Sequence, residues 1–189
     1  MANLILIKHA TPVKDPERPS HEWELSDIGR AQAIALGKNL EAAGLAFDIV
    51  FTSNEPKATE TGQIIAAESD RPMKVVDDLH EHDRSNVPVM PTREFISSVA
   101  QFFREQDRLV LGRETARDAK VRIARAIEKL IRDNVDKNIA VVTHGTVLSL
   151  FASDFLDEDP FQLWRRMGLP SYIAMDWEKR DVIRVVDRI

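Results

Sequence analysis

The chain has 189 residues, of which 43% are apolar and 30% charged, and its 26 basic and 31 acidic side chains leave a formal net charge of −5. This composition is typical of a globular protein and argues against disordered and fibrous classes. The absence of cysteine excludes disulfides, thiolate metal centres and a thiol nucleophile. An acidic chain without a long basic block predicts no nucleic-acid partner and no membrane-surface partner.

Continuous apolar runs mark the predicted strands. Residues 4–7, 48–52 and 139–143 are typical of strands buried on both faces, and residues 73–76 are a weaker candidate. The first run is too short for the core of a signal peptide or for a membrane span, so we expect a cytoplasmic protein.

Helical patterns lie between these runs. Residues 26–27 offer alternative caps for a helix that ends at Gly44, and Pro56 suits the first turn of a second helix. Thr115 and Asp118 resemble a capping box at the start of a long helix. Strands that alternate with helices predict an α/β fold of three αβα layers with a mostly parallel central sheet.

The C-terminal part and the middle of the chain depart from this alternation. Residues 172–177 and 182–186 flank a polar stretch and predict an antiparallel hairpin at the sheet edge. Residues 1–189 are expected to form a single domain, in which residues 79–114 form a cap-like insertion. This segment carries Arg84, Arg93, Arg104, Arg108 and Arg113.

Polar residues follow each predicted strand, at the edge where open α/β sheets bind ligands. They are Lys8 and His9, then Ser53, Asn54 and Lys57, then His80, Glu81 and His82, and finally His144 and Gly145. Lys57 stands near a helix start, where the macrodipole disfavours a cation by about 0.3–1 kcal/mol. A bound anion would offset that penalty, so the sequence predicts a phosphate or carboxylate contact there.

Two other uses of these residues have weaker support. Residues 80–83 place potential metal ligands together, but no third ligand stands at a spacing typical of zinc, so we expect no metal and no cofactor. Ser53 lacks the Gly-x-Ser-x-Gly setting of a nucleophile elbow. The chain also has no glycine-rich phosphate loop of the Walker or dinucleotide type.

Five motifs in order resemble those of the histidine phosphatase superfamily, which includes phosphoglycerate mutases and many small phosphatases. Residues 4–10 resemble its strand followed by Arg-His-Gly, and residues 25–33 resemble its Leu-Thr-x-x-Gly-x-x-Gln-Ala helix entry. Residues 51–62 resemble Ser-Ser-x-x-x-Arg-Ala-x-x-Thr-Ala, residues 79–84 the Leu-x-Glu segment and residues 141–145 the second-histidine motif. Such motifs in register over roughly 140 residues are hard to produce by chance.

The resemblance implies catalytic roles for three residues. It makes His9 the nucleophile that takes the phosphoryl group, Glu81 the proton donor and acceptor, and His144 a phosphate ligand that contributes positive charge when protonated. A neutral imidazole nitrogen can attack phosphorus, and a carboxylic acid can protonate the departing alkoxide and then activate water. These residues therefore predict phosphomonoester hydrolysis through a phosphohistidine.

The resemblance also implies a phosphate-binding group formed by Lys8, Lys57, His144 and Gly145. Lys8 and Lys57 stand where the family has arginine, and Ala10 replaces the glycine of the first motif. A lysine keeps the positive charge but lacks the planar fork of a guanidinium. We therefore expect weaker activity, by about one to two powers of ten per site if nothing compensates.

Three functions remain open at this point. The first is a phosphatase, a hydrolase acting on a small phosphorylated substrate, with the arginines of residues 84–113 shaping substrate choice. The second is a phosphate-binding or regulatory module of the same fold with little or no turnover, and the third is a phosphoglycerate mutase-type phosphotransfer enzyme. Because a binding module needs no proton donor, the presence of Glu81 favours an enzyme. The sequence indicates neither the natural substrate nor the oligomeric state.

Overall fold

The computed structural model describes residues 3–189 and contains six strands joined in one sheet. The strands are β1 (Asn3–Lys8), β2 (Ile49–Thr52), β3 (Met73–Val75), β4 (Ile139–Thr143), β5 (Ser171–Asp176) and β6 (Asp181–Val186). The helices are α1 (Asp27–Ala42), α2 (Pro56–Glu68), α3 (Thr92–Arg104), α4 (Ala116–Asp133), α5 (Gly145–Leu156) and α6 (Pro160–Arg166). No helix among residues 3–189 is long and apolar enough to cross a membrane.

The strand order is β3-β2-β4-β1-β5-β6. The first four strands in this order run parallel, whereas β5 pairs antiparallel with β1, and β6 pairs antiparallel with β5. The predicted α/β fold, with a mostly parallel sheet and a C-terminal antiparallel hairpin at its edge, is confirmed.

Strand β1 shows why the apolar runs lack alternation. Leu4 and Leu6 point to one face of the sheet and pack in a cluster with α3, α4 and α5. Ile5 and Ile7 point to the other face and pack with α1 and α2. All four side chains are fully buried. A strand covered on both faces is apolar at every position, and this arrangement produces the three layers.

The predicted helix boundaries have recognisable caps. Ser26 is the cap of α1, since its side-chain oxygen accepts the N–H of Gly29 at 3.0 Å, and Thr115 accepts the N–H of Asp118 at 3.1 Å at the start of α4. Past the end of α1, Gly44 has a φ of +69°, a left-handed conformation that favours glycine.

Candidate active site

The carboxyl ends of β1, β4 and β2 bring strand-end residues singled out from the sequence to one edge of the sheet. In register, Lys8 lies beside Thr143, and the N–H of His9 donates to the carbonyl of Thr143 at 3.1 Å. The rings of His9 and His144 therefore lie side by side, with centroids 5.1 Å apart and planes at 61°. The N–H of Ser53, after β2, donates to the carbonyl of Val142 at 3.0 Å, which continues the ladder toward His144.

The environment of His9 leaves one ring nitrogen available. His9 is 7% exposed, and its Nδ1 lies 2.7 Å from the carbonyl oxygen of Ala10. Because a carbonyl only accepts, Nδ1 carries the proton and Nε2 keeps its lone pair. Burial and the Lys57 ammonium lower the pKa of His9 well below its ordinary value. His9 is therefore a neutral imidazole near pH 7, the form that acts as a nucleophile.

His144 is fully buried and contacts residues that follow β2. Its Nε2 is hydrogen-bonded to the hydroxyl of Ser53 at 2.8 Å and lies 3.5 Å from Oε1 of Glu55. Burial and the Lys57 ammonium lower the pKa of His144 well below its ordinary value. This direction favours the neutral ring of His144 near pH 7.

The contact between Ser53 and His144 is not a serine triad. In a triad, the third group orients the histidine through the ring nitrogen opposite the serine. Here both Ser53 and Glu55 face Nε2, while Nδ1 of His144 is buried without a hydrogen-bond partner among the described residues.

The carboxylate of Glu81 contacts the N-terminus of α5. Its carboxylate accepts the N–H groups of Thr146 and Val147 at 3.1 and 3.2 Å, as well as that of His82 at 3.0 Å. The segment of residues 79–81 is also held by β4, since the hydroxyl of Thr143 donates to the carbonyl of Leu79 at 2.7 Å. The sequence therefore positions Glu81 by tying residues 79–81 to both β4 and the free N–H groups of α5.

The charge of Glu81 is decided by its neighbours. Burial alone would raise its pKa, but the Arg84 guanidinium and the backbone N–H groups of His82 and Thr146 hold the pKa of Glu81 well below its usual range. Nη1 of Arg84 lies 3.8 Å from Oε2 of Glu81. Glu81 is thus ionised in this arrangement.

Lys57 is buried at the start of α2, and the chain itself supplies the anion that was expected there. Its Nζ donates to the carbonyl of Ser20 at 2.7 Å and forms an ion pair with Glu55. Glu55 also accepts the N–H of Glu81 at 2.7 Å. Sequence reasoning missed Glu55, for which the unfavourable position of Lys57 at a helix start is the one available signal.

Lys8 reaches across Gly145 toward the C-terminal part of the chain. Its Nζ donates to the carbonyl of Met167 at 2.7 Å, and a Cβ added at Gly145 would lie 2.9 Å from Lys8 Cε. Gly145 therefore makes room for the lysine side chain. Burial, together with Arg188 and against the opposing effect of Glu81, lowers the pKa of Lys8 to about 8.

A cavity of about 340 Å³ opens beside Glu81, and Glu55 and Arg84 also line it. This volume is within the range of small-molecule sites.

The two histidines that flank Glu81 make backbone contacts. The Nε2–H of His82 donates to the carbonyl of Leu111 at 2.6 Å, and the ring of His80 is hydrogen-bonded to the carbonyl of Asp77. Residues 3–189 contain no group of three histidine or carboxylate side chains placed to hold a metal ion.

Comparisons with known proteins show the family of this chain. Residues 4–185 match the family model of the histidine phosphatase superfamily, branch 1. The mitochondrial serine/threonine-protein phosphatase Pgam5 of Drosophila mojavensis is 27% identical over 178 residues, which cover 93% of this chain and 57% of that protein. The 2,3-bisphosphoglycerate-dependent phosphoglycerate mutase of Bartonella quintana is 38% identical over 86 residues, 42% of each chain. The chain thus spans about half the length of these curated relatives.

Two solved structures share the fold. The phosphoserine phosphatase of Entamoeba histolytica in complex with phosphoserine superposes with a TM-score of 0.78 at 18% identity, covering 98% of this chain and 97% of that one. A mycobacterial glucosyl-3-phosphoglycerate phosphatase superposes with a TM-score of 0.78 at 16% identity over 100% of both chains. Since the family model matches nearly the whole described chain, the chain belongs to the histidine phosphatase superfamily.

Proposed function

We propose that this chain is a phosphomonoester phosphatase that works through a phosphohistidine on His9. One observation carries the proposal: the hydrogen bond from Nδ1 to the carbonyl of Ala10 leaves Nε2 of a neutral, buried imidazole with its lone pair free. The ring of His144 and the buried ammonium of Lys57 lie near His9 and are groups suited to bind a phosphate. Membership in a superfamily that contains phosphatases and mutases supports the same reaction class.

The reaction has two displacements in this proposal. In the first, Nε2 of His9 attacks phosphorus, the bond from phosphorus to the leaving oxygen breaks, and protonated Glu81 gives its proton to that oxygen. In the second, a water oxygen attacks the phosphohistidine, the P–N bond breaks, and the water proton passes to Glu81. The products are the alcohol and inorganic phosphate, and both catalytic groups return to their starting states.

Glu81 needs a proton to serve as the acid, although it is ionised in the structure. A dianionic phosphate placed beside it adds a like charge, which favours the protonated carboxyl. The same phosphate competes for the Arg84 guanidinium that keeps the pKa of Glu81 low. Substrate binding therefore supplies the condition under which Glu81 becomes an acid.

Lys8, Lys57, His144 and Gly145 form the phosphate-binding group in this proposal, and residues 79–114 form a cap over the site within a single domain of residues 1–189. The cap supplies Glu81, and its helix α3 packs into the core through Val99, Phe102 and Phe103.

The ionisation of Lys8 gives a pH dependence with a definite sign. Because the pKa of Lys8 is about 8, its ammonium is present at pH 7 and is lost as the pH rises through 8. A phosphomonoester has a second pKa near 6, so its own charge stays constant over that range. We expect the affinity of His9→Ala protein for an aryl phosphate, measured by calorimetry without turnover, to fall about tenfold from pH 7 to pH 9.

The matched variant for this measurement is Lys8→Arg in the same background. A guanidinium stays protonated at pH 9, so the affinity should become nearly independent of pH. An equal fall in both proteins would show that a group other than Lys8 titrates.

A substrate panel tests the proposed function itself. It contains an aryl phosphate, a phosphoserine peptide, and phosphoserine and 3-phosphoglycerate, which are bound in structures of the Entamoeba enzyme. We expect release of inorganic phosphate from at least one of them. Release of an isomeric phosphate ester instead would identify a mutase.

A binding or regulatory module is the second candidate, and the ion pair between Lys57 and Glu55 favours it. This pair neutralises one of the two lysines before any phosphate arrives. Vanadate binding without turnover on any member of the panel would establish that module and reject the phosphatase.

A further inference from the structure

Arg84 stands out among the arginines of residues 84–113, because its guanidinium lies inside the site. Its side chain is 18% exposed, whereas those of Arg104 and Arg108 are 70% and 74% exposed and pair with Glu105. The guanidinium of Arg84 stacks over the ring of Phe95, with its carbon 5.2 Å from the ring centroid. Phe95 belongs to α3, so the tertiary packing of this helix holds the cation beside the site.

The guanidinium of Arg84 has an unused donor. Nη1 is buried and has no hydrogen-bond partner among the described residues, because the 3.8 Å to Glu81 is too long for a hydrogen bond. A buried N–H without an acceptor costs free energy, and a charged one costs more. An acceptor that reaches Nη1 would remove this cost.

The two lysines are less free to receive a phosphate. Lys8 already donates to the carbonyl of Met167, and Lys57 donates to the carbonyl of Ser20 and is paired with Glu55. Neither has the planar fork that binds two oxygens of one phosphate. The guanidinium beside Glu81 is that of Arg84, and its Nη1 is the unsatisfied donor.

We propose that Arg84 is a phosphate ligand of this site, whose guanidinium binds oxygens of the phosphoryl group and replaces the fork missing at Lys8 and Lys57. The proposal rests on the proposed function for the identity of the anion. Nη1 of Arg84 lies 3.8 Å from Oε2 of Glu81, and both residues line the cavity of about 340 Å³, so an anion bound to Nη1 lies next to the proposed acid. Phosphate binding then exchanges the long contact with Glu81 for direct hydrogen bonds.

Orthovanadate and inorganic phosphate are the probes that test Arg84, because their binding by the full chain can be measured by calorimetry without turnover. We expect Arg84→Ala to weaken both affinities by about 10- to 100-fold, since each charge-assisted hydrogen bond is worth roughly one to two powers of ten. Arg84→Lys should recover only part of the loss. Arg104→Ala, which removes an exposed guanidinium of the same segment, should bind as the unaltered protein does.

Arg84→Gln guards against a fold defect, because it keeps much of the side chain on Phe95 while it removes the charge. Its thermal unfolding midpoint and its affinities are measured together, and we expect an unchanged midpoint with weakened binding. Affinities within twofold of the unaltered protein in Arg84→Gln would overturn the proposal, even if kcat fell, because Arg84 would then act only by positioning Glu81. A chain that binds neither probe would overturn it as well.

The failure of this inference is distinguishable from failure of the proposed function. If probe binding depends on Arg84 but the chain hydrolyses no phosphomonoester, Arg84 is a phosphate ligand and the phosphatase proposal is rejected. If the chain hydrolyses a phosphomonoester but probe binding is independent of Arg84, the phosphatase proposal stands and the role of Arg84 as a phosphate ligand is rejected.

Discussion

Replacing His9 with alanine is expected to reduce kcat for an aryl phosphate by about 10³-fold or more, because it removes the atom that forms the covalent intermediate. The cations and Glu81 remain in this variant and still bind the substrate. The loss should therefore appear in kcat while the affinity changes little. Steady-state release of phosphate and calorimetric binding of the same ester measure the two quantities.

Lys129→Ala is the control for this substitution. The Lys129 side chain is 66% exposed on α4 and pairs with Asp133, so its removal should leave kcat within about threefold and the unfolding midpoint unchanged. Hydrolysis that survives His9→Ala undiminished would reject a phosphohistidine at this position.

Replacing Glu81 with glutamine is expected to separate substrates by their leaving groups. An alkoxide needs a proton as it departs, so kcat/KM for an alkyl phosphate should fall by about 10²- to 10⁴-fold. A nitrophenolate departs without being protonated, so kcat/KM for nitrophenyl phosphate should fall much less. The two substrates serve as controls for each other within the same protein.

The second displacement adds a kinetic signature to Glu81→Gln. Water still requires a base, so the phosphohistidine should accumulate with the aryl substrate and produce a burst of phenolate followed by slow turnover. Equal losses of kcat/KM for the alkyl and aryl substrates would show that Glu81 positions the site and does not transfer the proton.

The sheet and the positions of the strand-end residues could be predicted from the sequence. Residues 4–7 of β1 are apolar at every position because both faces are covered, and His9 follows directly where the strand ends. Helix α5 escaped prediction because it is buried nearly all round, so it has no polar face that would give a helical period.

The electrostatics of the site could not be predicted in the same way. The position of Lys57 indicated a missing anion, but only the fold shows that the anion is Glu55. Likewise, the sequence gives no reason to prefer one of the five arginines of residues 84–113, whereas the fold distinguishes Arg84 by its contact with Phe95. The neutral state of His144 depends on its burial, which no local pattern records.

The most direct test of the phosphohistidine is rapid-quench trapping in a single turnover with ³²P-labelled aryl phosphate. We expect label that is lost in acid and retained in base, on the tryptic peptide of residues 9–14, and none on His9→Ala protein. Acid lability separates a phosphohistidine from phosphate on Thr11 of the same peptide. Label on His144, or product formed with no phosphoryl group bound to the protein at any time, would contradict a phosphohistidine on His9.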